Sequence, residues 1–208
     1  MPLQNRVLPT QEIVADAGRG LLMGNRGTIH HPDRTLGATR WRSKAWICCV
    51  LEWKGVQRDP MPPGRWTALF FFDEAVALAA GHRPCAYCRR RDYLLYAGAW
   101  AAARGLPERP RATAMDAQLH LERVDPRSRQ QRTTIAELDE LPDGAMIRFD
   151  GRPALVLDGQ VLSWSWEGYN TPARPTGLRE VEVLTPPANL LVLKAGFVPL
   201  LHPTAIGN

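Results

Sequence analysis

Hydrophobic residues recur at helical spacing in the middle of the chain. Tyr93, Tyr96, Ala97, Trp100 and Ala101 lie at this spacing. They predict a helix over 92–104, ended by Gly105 and Pro107, whose apolar face packs into a core. A shorter helix is predicted over 74–80, because Asp73 can cap its first turn and Gly81 can adopt the left-handed conformation that stops it.

A different pattern begins at residue 141. Asp143-Gly144, Asp150-Gly151 and Asp158-Gly159 are turn dipeptides spaced seven or eight residues apart, and the runs between them are rich in β-formers. They predict a β-meander over 145–166 that forms a curled sheet or a small barrel. A Pro- and Gly-rich loop then leads to Arg179.

Upstream, the segments 46–53 and 66–72 are apolar and β-rich, and they predict two further strands. Thr10 as a cap predicts a short helix over 10–17. Strands and helices are therefore expected in separate runs, which is typical of an α+β fold.

Two of the four cysteines form the motif Cys85-Ala86-Tyr87-Cys88. In C-x-x-C both sulfurs can face one point, which is half of a tetrahedral zinc site. The adjacent arginines 89–91 favour the thiolate form that binds metal or reacts. Cys48 and Cys49 are adjacent, and neighbouring residues of a strand point to opposite faces, so only one of them is expected to reach a metal. A redox dithiol is the competing interpretation of the C-x-x-C pair.

The run Phe72-Asp73 … Gly81-His82-Arg83-Pro84-Cys85-Ala86-Tyr87-Cys88-Arg89 resembles the second half of the zinc-binding domain of the Ada alkylation-repair protein. The resemblance covers about residues 45–92. It implies zinc held by cysteines, DNA binding, and transfer of a methyl group to one cysteine. Aligning the apolar residues before the first Ada cysteine favours Cys49 as a ligand, and the second Ada cysteine then falls near Trp53. The whole chain also resembles a family of bacterial proteins, which implies no particular function.

The metal site predicted from Cys49, Cys85 and Cys88 is one ligand short. His30 could complete a Cys3His sphere if it lies on a strand paired with residues 46–53. His82 and His120 are the rival histidines. A solvent molecule in the fourth position would instead make the site catalytic. The cysteine motif and the change of pattern at residue 141 predict three parts of the chain. They are a zinc-binding α+β domain over 1–104, a basic linker and helix over 105–140, and a β-rich domain over 141–208.

The net charge is +5, and the excess of basic residues lies before residue 142. Arginine suits phosphate recognition, so we expect a nucleic acid, DNA first, as partner. The candidate contacts are Arg26, Arg40, Arg42, Arg83, Arg89, Arg90 and Arg91. Trp41 and Trp46 alternate with cations and could stack on bases. A strand with inward-facing tryptophans explains the alternation equally well. The segment 127–132 is a basic loop that could also contact phosphates.

Glycines bracket Asn25 and Arg26, so the segment 18–31 could bring backbone amides and Arg26 close to an anion. A hairpin turn is the plainer interpretation, and no P-loop motif is present.

Asp116, His120 and Glu122 are the candidate catalytic residues, because Asp, His and Glu can bind a hard metal or move protons. A solvated helix with an Asp–His hydrogen bond would produce the same sequence.

Three hypotheses for the function remain. They are a DNA-binding protein with structural zinc, an enzyme acting on nucleic acid by phosphodiester hydrolysis or methyl transfer, and a metal-free interaction domain. No run reaches the length of a membrane helix, and the N-terminus lacks a secretion signal, so we expect a cytoplasmic protein without a membrane partner.

Overall fold

The computed structural model describes residues 1–55, 59–170 and 180–207. It has two sheets of six strands and four α-helices, which confirms the mixed α+β class. The helices are α1 (Glu74–Ala79), α2 (Arg90–Ala103), α3 (Ala112–Arg123) and α4 (Pro187–Lys194), with 3-10 turns at Leu138–Glu140 and Pro203–Ala205. No helix among the described residues combines the length and the apolar character needed to cross a membrane.

The first sheet is mixed. Its strands are β1 (Gln4–Val7), β2 (Ile13–Ala15), β3 (Leu22–Asn25), β4 (Ile47–Val50), β5 (Leu69–Phe71) and β6 (Arg83–Pro84), in the order β2-β1-β5-β3-β4-β6. β4 lies between β3, to which it is antiparallel, and the short β6, to which it is parallel. The predicted helix over 10–17 is wrong, because Ile13–Ala15 pairs with β1.

β3 runs through the glycine-containing segment that was considered as an anion loop. Gly24 packs so closely on β4 that an added Cβ would lie 2.0 Å from the carbonyl oxygen of Ile47. Glycine is required there by the approach of two strands. The segment therefore does not present the continuous row of free amides expected of an anion-binding loop.

The second sheet is antiparallel. It contains β7 (Thr134–Glu137), β8 (Met146–Phe149), β9 (Arg152–Leu157), β10 (Gln160–Ser165), β11 (Gly168–Tyr169) and β12 (Glu180–Val183), in the order β11-β10-β9-β8-β12-β7. The predicted meander is confirmed as β8–β9–β10–β11, with tight turns in which Asp150, Gly151, Asp158 and Gly159 all have positive φ. In the described part of the chain this sheet stays open and no barrel closes. The Pro- and Gly-rich segment before Arg179 lies outside the described residues.

Helix α1 lies at the centre of the molecule. All six of its residues are buried, and the Asp73 carboxylate accepts a hydrogen bond from the Val76 amide at 3.0 Å, as the capping pattern predicts. One side of the helix packs on the first sheet and another on the second, and Leu78 joins the cluster formed by α2, α3 and α4. A helix that is apolar all round is buried all round. The hydrophobic clusters therefore cross the boundaries predicted at residues 104 and 140.

Candidate metal centre and basic cavities

The C-x-x-C motif forms a turn between β6 and α2. The Cys85 amide donates to the Cys48 carbonyl at 2.8 Å, which fixes the start of the turn against β4. The Tyr87 amide then donates to Cys85 Sγ at 3.4 Å. Cys85 is buried and Cys88 is half-buried. The backbone thus turns both sulfurs toward one point, as the motif predicts.

The adjacent cysteines of β4 face opposite sides of the sheet. Cys48 is 1% exposed, belongs to the core of the first sheet, and accepts a hydrogen bond at its Sγ from Arg89 Nη1 at 3.4 Å. Cys49 faces the other way and joins Cys85 and Cys88. The ligand atoms of these three residues all lie within 4.8 Å of one another. Only one of the two adjacent cysteines reaches the cluster, in accordance with strand alternation.

The three thiols depend on one another. The pKa of Cys85 is lowered because its sulfur accepts hydrogen bonds from the thiols of Cys49 and Cys88. The pKa of Cys49 is raised for the same reason, since its thiol is a donor to the other two sulfurs. Ionising more than one of the three without a cation brings like charges together.

The donor set fits a zinc ion. Zinc binds thiolate sulfur at about 2.3 Å in tetrahedral geometry, which places two sulfurs about 3.8 Å apart. The sulfurs of Cys49, Cys85 and Cys88 lie within the 4.8 Å that bounds this cluster. Sulfur ligands also suit Cu(I) and iron–sulfur clusters, so the cluster could hold a metal whose identity the geometry alone leaves open.

No fourth metal-binding side chain completes the cluster among the described residues. A cavity of about 250 Å³ borders it instead, lined by Met23, Trp53, Trp66 and Tyr87 together with the cysteines. Trp53 and Tyr87 pack edge to face with ring centroids 5.6 Å apart. The open side of the sulfur triangle is therefore next to an aromatic chamber.

The three histidines considered as fourth ligands lie outside the cluster. The His30 ring nitrogens contact Thr67 Oγ1 at 2.6 Å and the Pro62 carbonyl at 3.2 Å. His82 is fully buried between Phe71 and Trp46, with centroid distances of 4.5 and 5.2 Å. His120 packs against Trp41 at 5.6 Å. His30 also lies outside the strand that pairs with β4, because that strand ends at Asn25.

The candidate catalytic residues do not form a common site. Asp116 is buried in a bidentate ion pair with Arg83, at 2.8 Å from Nε and 2.7 Å from Nη2. His120 contacts Arg123, and Glu122 accepts hydrogen bonds from Gln118 and from the Ala188 amide. The Asp116–His120 hydrogen bond of the alternative interpretation is not formed, because the Asp116 carboxylate is paired with Arg83. Burial lowers the pKa of His120 to about 4.

The predicted phosphate-binding arginines divide into two groups. Arg26, Arg83 and Arg89 are buried, and Arg89 pairs with Glu74 at 2.7 Å. Arg40 is half-buried, while Arg42, Arg90 and Arg91 are exposed. Arg83 and Arg89 thus hold the fold together, whereas Arg42, Arg90 and Arg91 lie at the surface and the Arg40 guanidinium donates to the Gly37 carbonyl.

Trp46 lies between two guanidinium groups. The Cζ atoms of Arg26 and Arg123 are 4.0 and 3.8 Å from its ring centroid, and all three residues are buried. Cation–π contacts strengthen when they are desolvated. The Arg–Trp alternation predicted either base stacking or inward-facing tryptophans, and Trp46 is buried. The role of Arg123, far along the chain, had no local signal.

Two basic cavities adjoin this stack. One, of about 420 Å³, is lined by residues that include Arg42, Arg132 and His120. The other, of about 560 Å³, is lined by residues that include Arg26 and Arg148. Arg40, Trp41 and Arg129 line both. The basic loop over 127–132 therefore contributes to the lining of both cavities.

Comparisons with protein-family models, with curated proteins and with solved structures find no match to this chain. The class that the fold and site define is an α+β protein with a three-cysteine cluster able to hold a metal ion.

Proposed function

We propose that this chain is a zinc-binding protein in which Cys49, Cys85 and Cys88 hold the ion. The observation that carries the proposal is the convergence of three sulfurs from β4 and the β6–α2 turn within 4.8 Å. Ionised thiols need a nearby cation, and a C-x-x-C turn with one further cysteine offers three of the four ligands of a tetrahedral zinc site.

The main role of the ion is structural. A bound zinc would join β4 to the turn between β6 and α2, since Cys49 lies on β4 and Cys85 and Cys88 lie in that turn. No described side chain takes the fourth position, so a water molecule or another small ligand from the aromatic chamber would complete the tetrahedron, as in catalytic zinc sites. We keep the structural role as the main one because the ion would join two separate parts of the backbone.

Cobalt(II) substitution tests this proposal. We expect the wild-type protein to develop the visible absorption of tetrahedral thiolate-bound cobalt and to lose it when zinc is added. Cys88→Ser should weaken the sulfur-to-cobalt bands, whereas Cys48→Ala, its control inside the core, should keep them. Absence of these bands in the wild type would end the proposal.

The second part of the proposal is that the chain binds nucleic acid, with DNA as the first candidate. It is supported by the cavity lined by Arg40, Arg42, Arg129 and Arg132 beside the half-buried ring of Trp41. Guanidiniums can hold the phosphates while the indole stacks on an unpaired base. The Ada resemblance points to the same partner.

Fluorescence anisotropy with labelled single- and double-stranded DNA tests this part. We expect affinity to fall as salt rises, and Arg42→Ala and Arg132→Ala each to reduce the salt slope by about 1. Arg109→Ala removes an exposed arginine that lines neither cavity and serves as the control. Binding that is independent of salt, or equal in all three variants, would contradict a role for this surface.

A further inference from the structure

The 560 Å³ cavity contains a buried guanidinium that lacks an anionic partner. Arg26 lines the cavity and is 1% exposed. Its Nε donates to His82 Nε2 at 3.3 Å and its Nη1 donates to the Gln11 carbonyl at 3.2 Å, so both acceptors are neutral groups. Its Nη2 has no hydrogen-bond partner among the described residues. Buried charges in proteins are normally paired.

The other buried arginines of the predicted set show what is missing at Arg26. Arg83 is paired with Asp116 and Arg89 with Glu74. Burial, together with the nearby cations Arg123 and Arg40, lowers the pKa of Arg26 well below its usual value. The charge of Arg26 is therefore left for a ligand to balance.

The lining of the cavity has an excess of positive charge. It includes four arginines, Arg26, Arg40, Arg129 and Arg148, and two glutamates. Arg148 is paired with Glu182 at 2.8 Å, whereas no carboxylate of the described residues forms an ion pair with Arg40 or Arg129. Glu12 accepts a hydrogen bond from Thr10 Oγ1 at the exposed rim. Three guanidiniums thus share one cavity, and none of them has a carboxylate of the described residues within ion-pair distance.

The stack on Trp46 holds Arg26 in a fixed place. The indole ring lies 4.0 Å from the Arg26 Cζ, and Arg123 covers the ring at 3.8 Å. A guanidinium that is already held in position loses little freedom when it binds an anion. Trp41, whose ring centroid is 5.8 Å from that of Trp46, adds an aromatic wall to the cavity.

We propose that this cavity binds a phosphate monoester group, with Arg26, Arg40 and Arg129 as its hydrogen-bond donors. Guanidinium forks match the oxygens of phosphate, and the aromatic wall suits a base or another flat group attached to it. The phosphate can belong to a free small molecule or to the end of a nucleic acid. The site is independent of the zinc proposal and gives the nucleic-acid proposal one specific contact.

Isothermal titration of the full chain with inorganic phosphate and with thymidine monophosphate tests the site. We expect both to bind the wild type, and Arg129→Ala to weaken binding about tenfold or more, as for loss of a hydrogen bond to a charged group. Arg127→Ala removes an exposed arginine of the same loop that lines neither cavity, and it should bind like the wild type. Arg26→Gln should abolish binding while its thermal unfolding confirms a folded protein.

Competition separates the two sources of phosphate. If a 5′-phosphorylated oligonucleotide displaces inorganic phosphate and its 5′-hydroxyl counterpart does not, the ligand is a nucleic-acid end; if neither does, it is a small molecule. Phosphate binding without DNA binding would leave the cavity assignment standing and remove the nucleic-acid proposal. No phosphate binding to the wild type, or equal binding by Arg129→Ala and Arg127→Ala, overturns the cavity assignment even if DNA still binds.

Discussion

The cysteine cluster and the Arg26 cavity use the same two strands for opposite chemistry. β3 and β4 carry Met23 and Cys49 to the sulfur cluster, and the residues flanking those strands, Arg26 and Trp46, form the stack beside the cavity. One site gathers three thiols that can become anions. The other gathers guanidiniums that are already cations.

The difference lies in what each site lacks. The thiols partly satisfy one another by hydrogen bonds, and a metal cation would replace those protons. The positive charges of Arg26, Arg40 and Arg129 are not compensated in this way, because none of the three is ion-paired with a carboxylate of the described residues. Elsewhere in the core the charges are balanced, as in Arg83–Asp116. Each site is therefore marked by a group of ligands that is incompletely balanced and includes a buried member, Cys85 in one and Arg26 in the other.

Removing metal should give the largest effect. If zinc bridges β4 and the β6–α2 turn, a strong chelator should lower the free energy of unfolding of the wild type by at least about 4 kcal/mol, the mass-action value for metal at a thousand times Kd. Urea unfolding with and without chelator measures this change. Cys85→Ser should be insensitive to the chelator, and an equal response in that variant would contradict a stabilising ion at the cluster.

Breaking a balanced pair should have the next largest effect. Asp116→Asn leaves the buried Arg83 without its carboxylate, and we expect a loss of about 3 kcal/mol in unfolding free energy. Asp92→Asn is the control, because Asp92 also pairs with an arginine but its side chain is 40% exposed, and we expect a loss below about 1 kcal/mol. Similar losses in both variants would show that burial does not set the strength of these pairs.

Removing the unbalanced charge should cost less. Arg26→Met loses the stack on Trp46, worth about 2 kcal/mol when desolvated, but it also removes a buried charge that no carboxylate compensates. We therefore expect a net loss of about 1 kcal/mol in phosphate-free buffer, below that of Asp116→Asn. Denaturant unfolding measures both variants side by side, and a larger loss for Arg26→Met would mean that its charge is balanced within the fold.

The pH dependence of stability should be an effect of about the same size as the loss in Arg26→Met. Burial, together with Arg26 and Arg123, lowers the pKa of His82 well below its usual value. His82 therefore binds a proton in the unfolded chain at a pH where it stays neutral in the folded chain. The free energy of unfolding falls as pH drops below about 6.5, by up to about 1.4 kcal/mol per pH unit. Unfolding between pH 7.5 and 5.5 should show a shallower loss in His82→Phe, and the exposed His31→Gln should keep the wild-type slope.

Asp73 acts in the opposite direction. Burial raises its pKa to about 6, so protonation of the folded state adds stability as pH falls below that value. The difference between wild type and His82→Phe isolates the histidine from this contribution. An unchanged difference across the pH range would contradict a neutral, buried His82.

The parts that could be predicted from the sequence are local ones. The Asp73 cap, the stop at Gly81 and the C-x-x-C turn follow one another within a short stretch, so neighbouring residues determine their geometry. Strand alternation likewise separates Cys48 from Cys49. The turns Asp150-Gly151 and Asp158-Gly159 define the meander because both residues of each turn adopt positive φ.

The parts that could not be predicted depend on distant pairing. The stack on Trp46 joins residues 26, 46 and 123, and no periodicity connects them. Ile13–Ala15 becomes a strand because β1 is available as a partner, which overrides the local capping signal at Thr10. The burial of Arg83 and Arg89 follows from carboxylates on α3 and α1, so their placement beside the cysteines could not reveal it.

The metal content of the purified protein tests the central claim most directly. Elemental mass spectrometry of the wild type, Cys49→Ala and Cys48→Ala compares two adjacent cysteines that face opposite sides of β4. We predict about one zinc per chain in the wild type and in Cys48→Ala, and almost none in Cys49→Ala. A wild type without metal, or equal metal loss in the two variants, would contradict a metal centre at Cys49, Cys85 and Cys88.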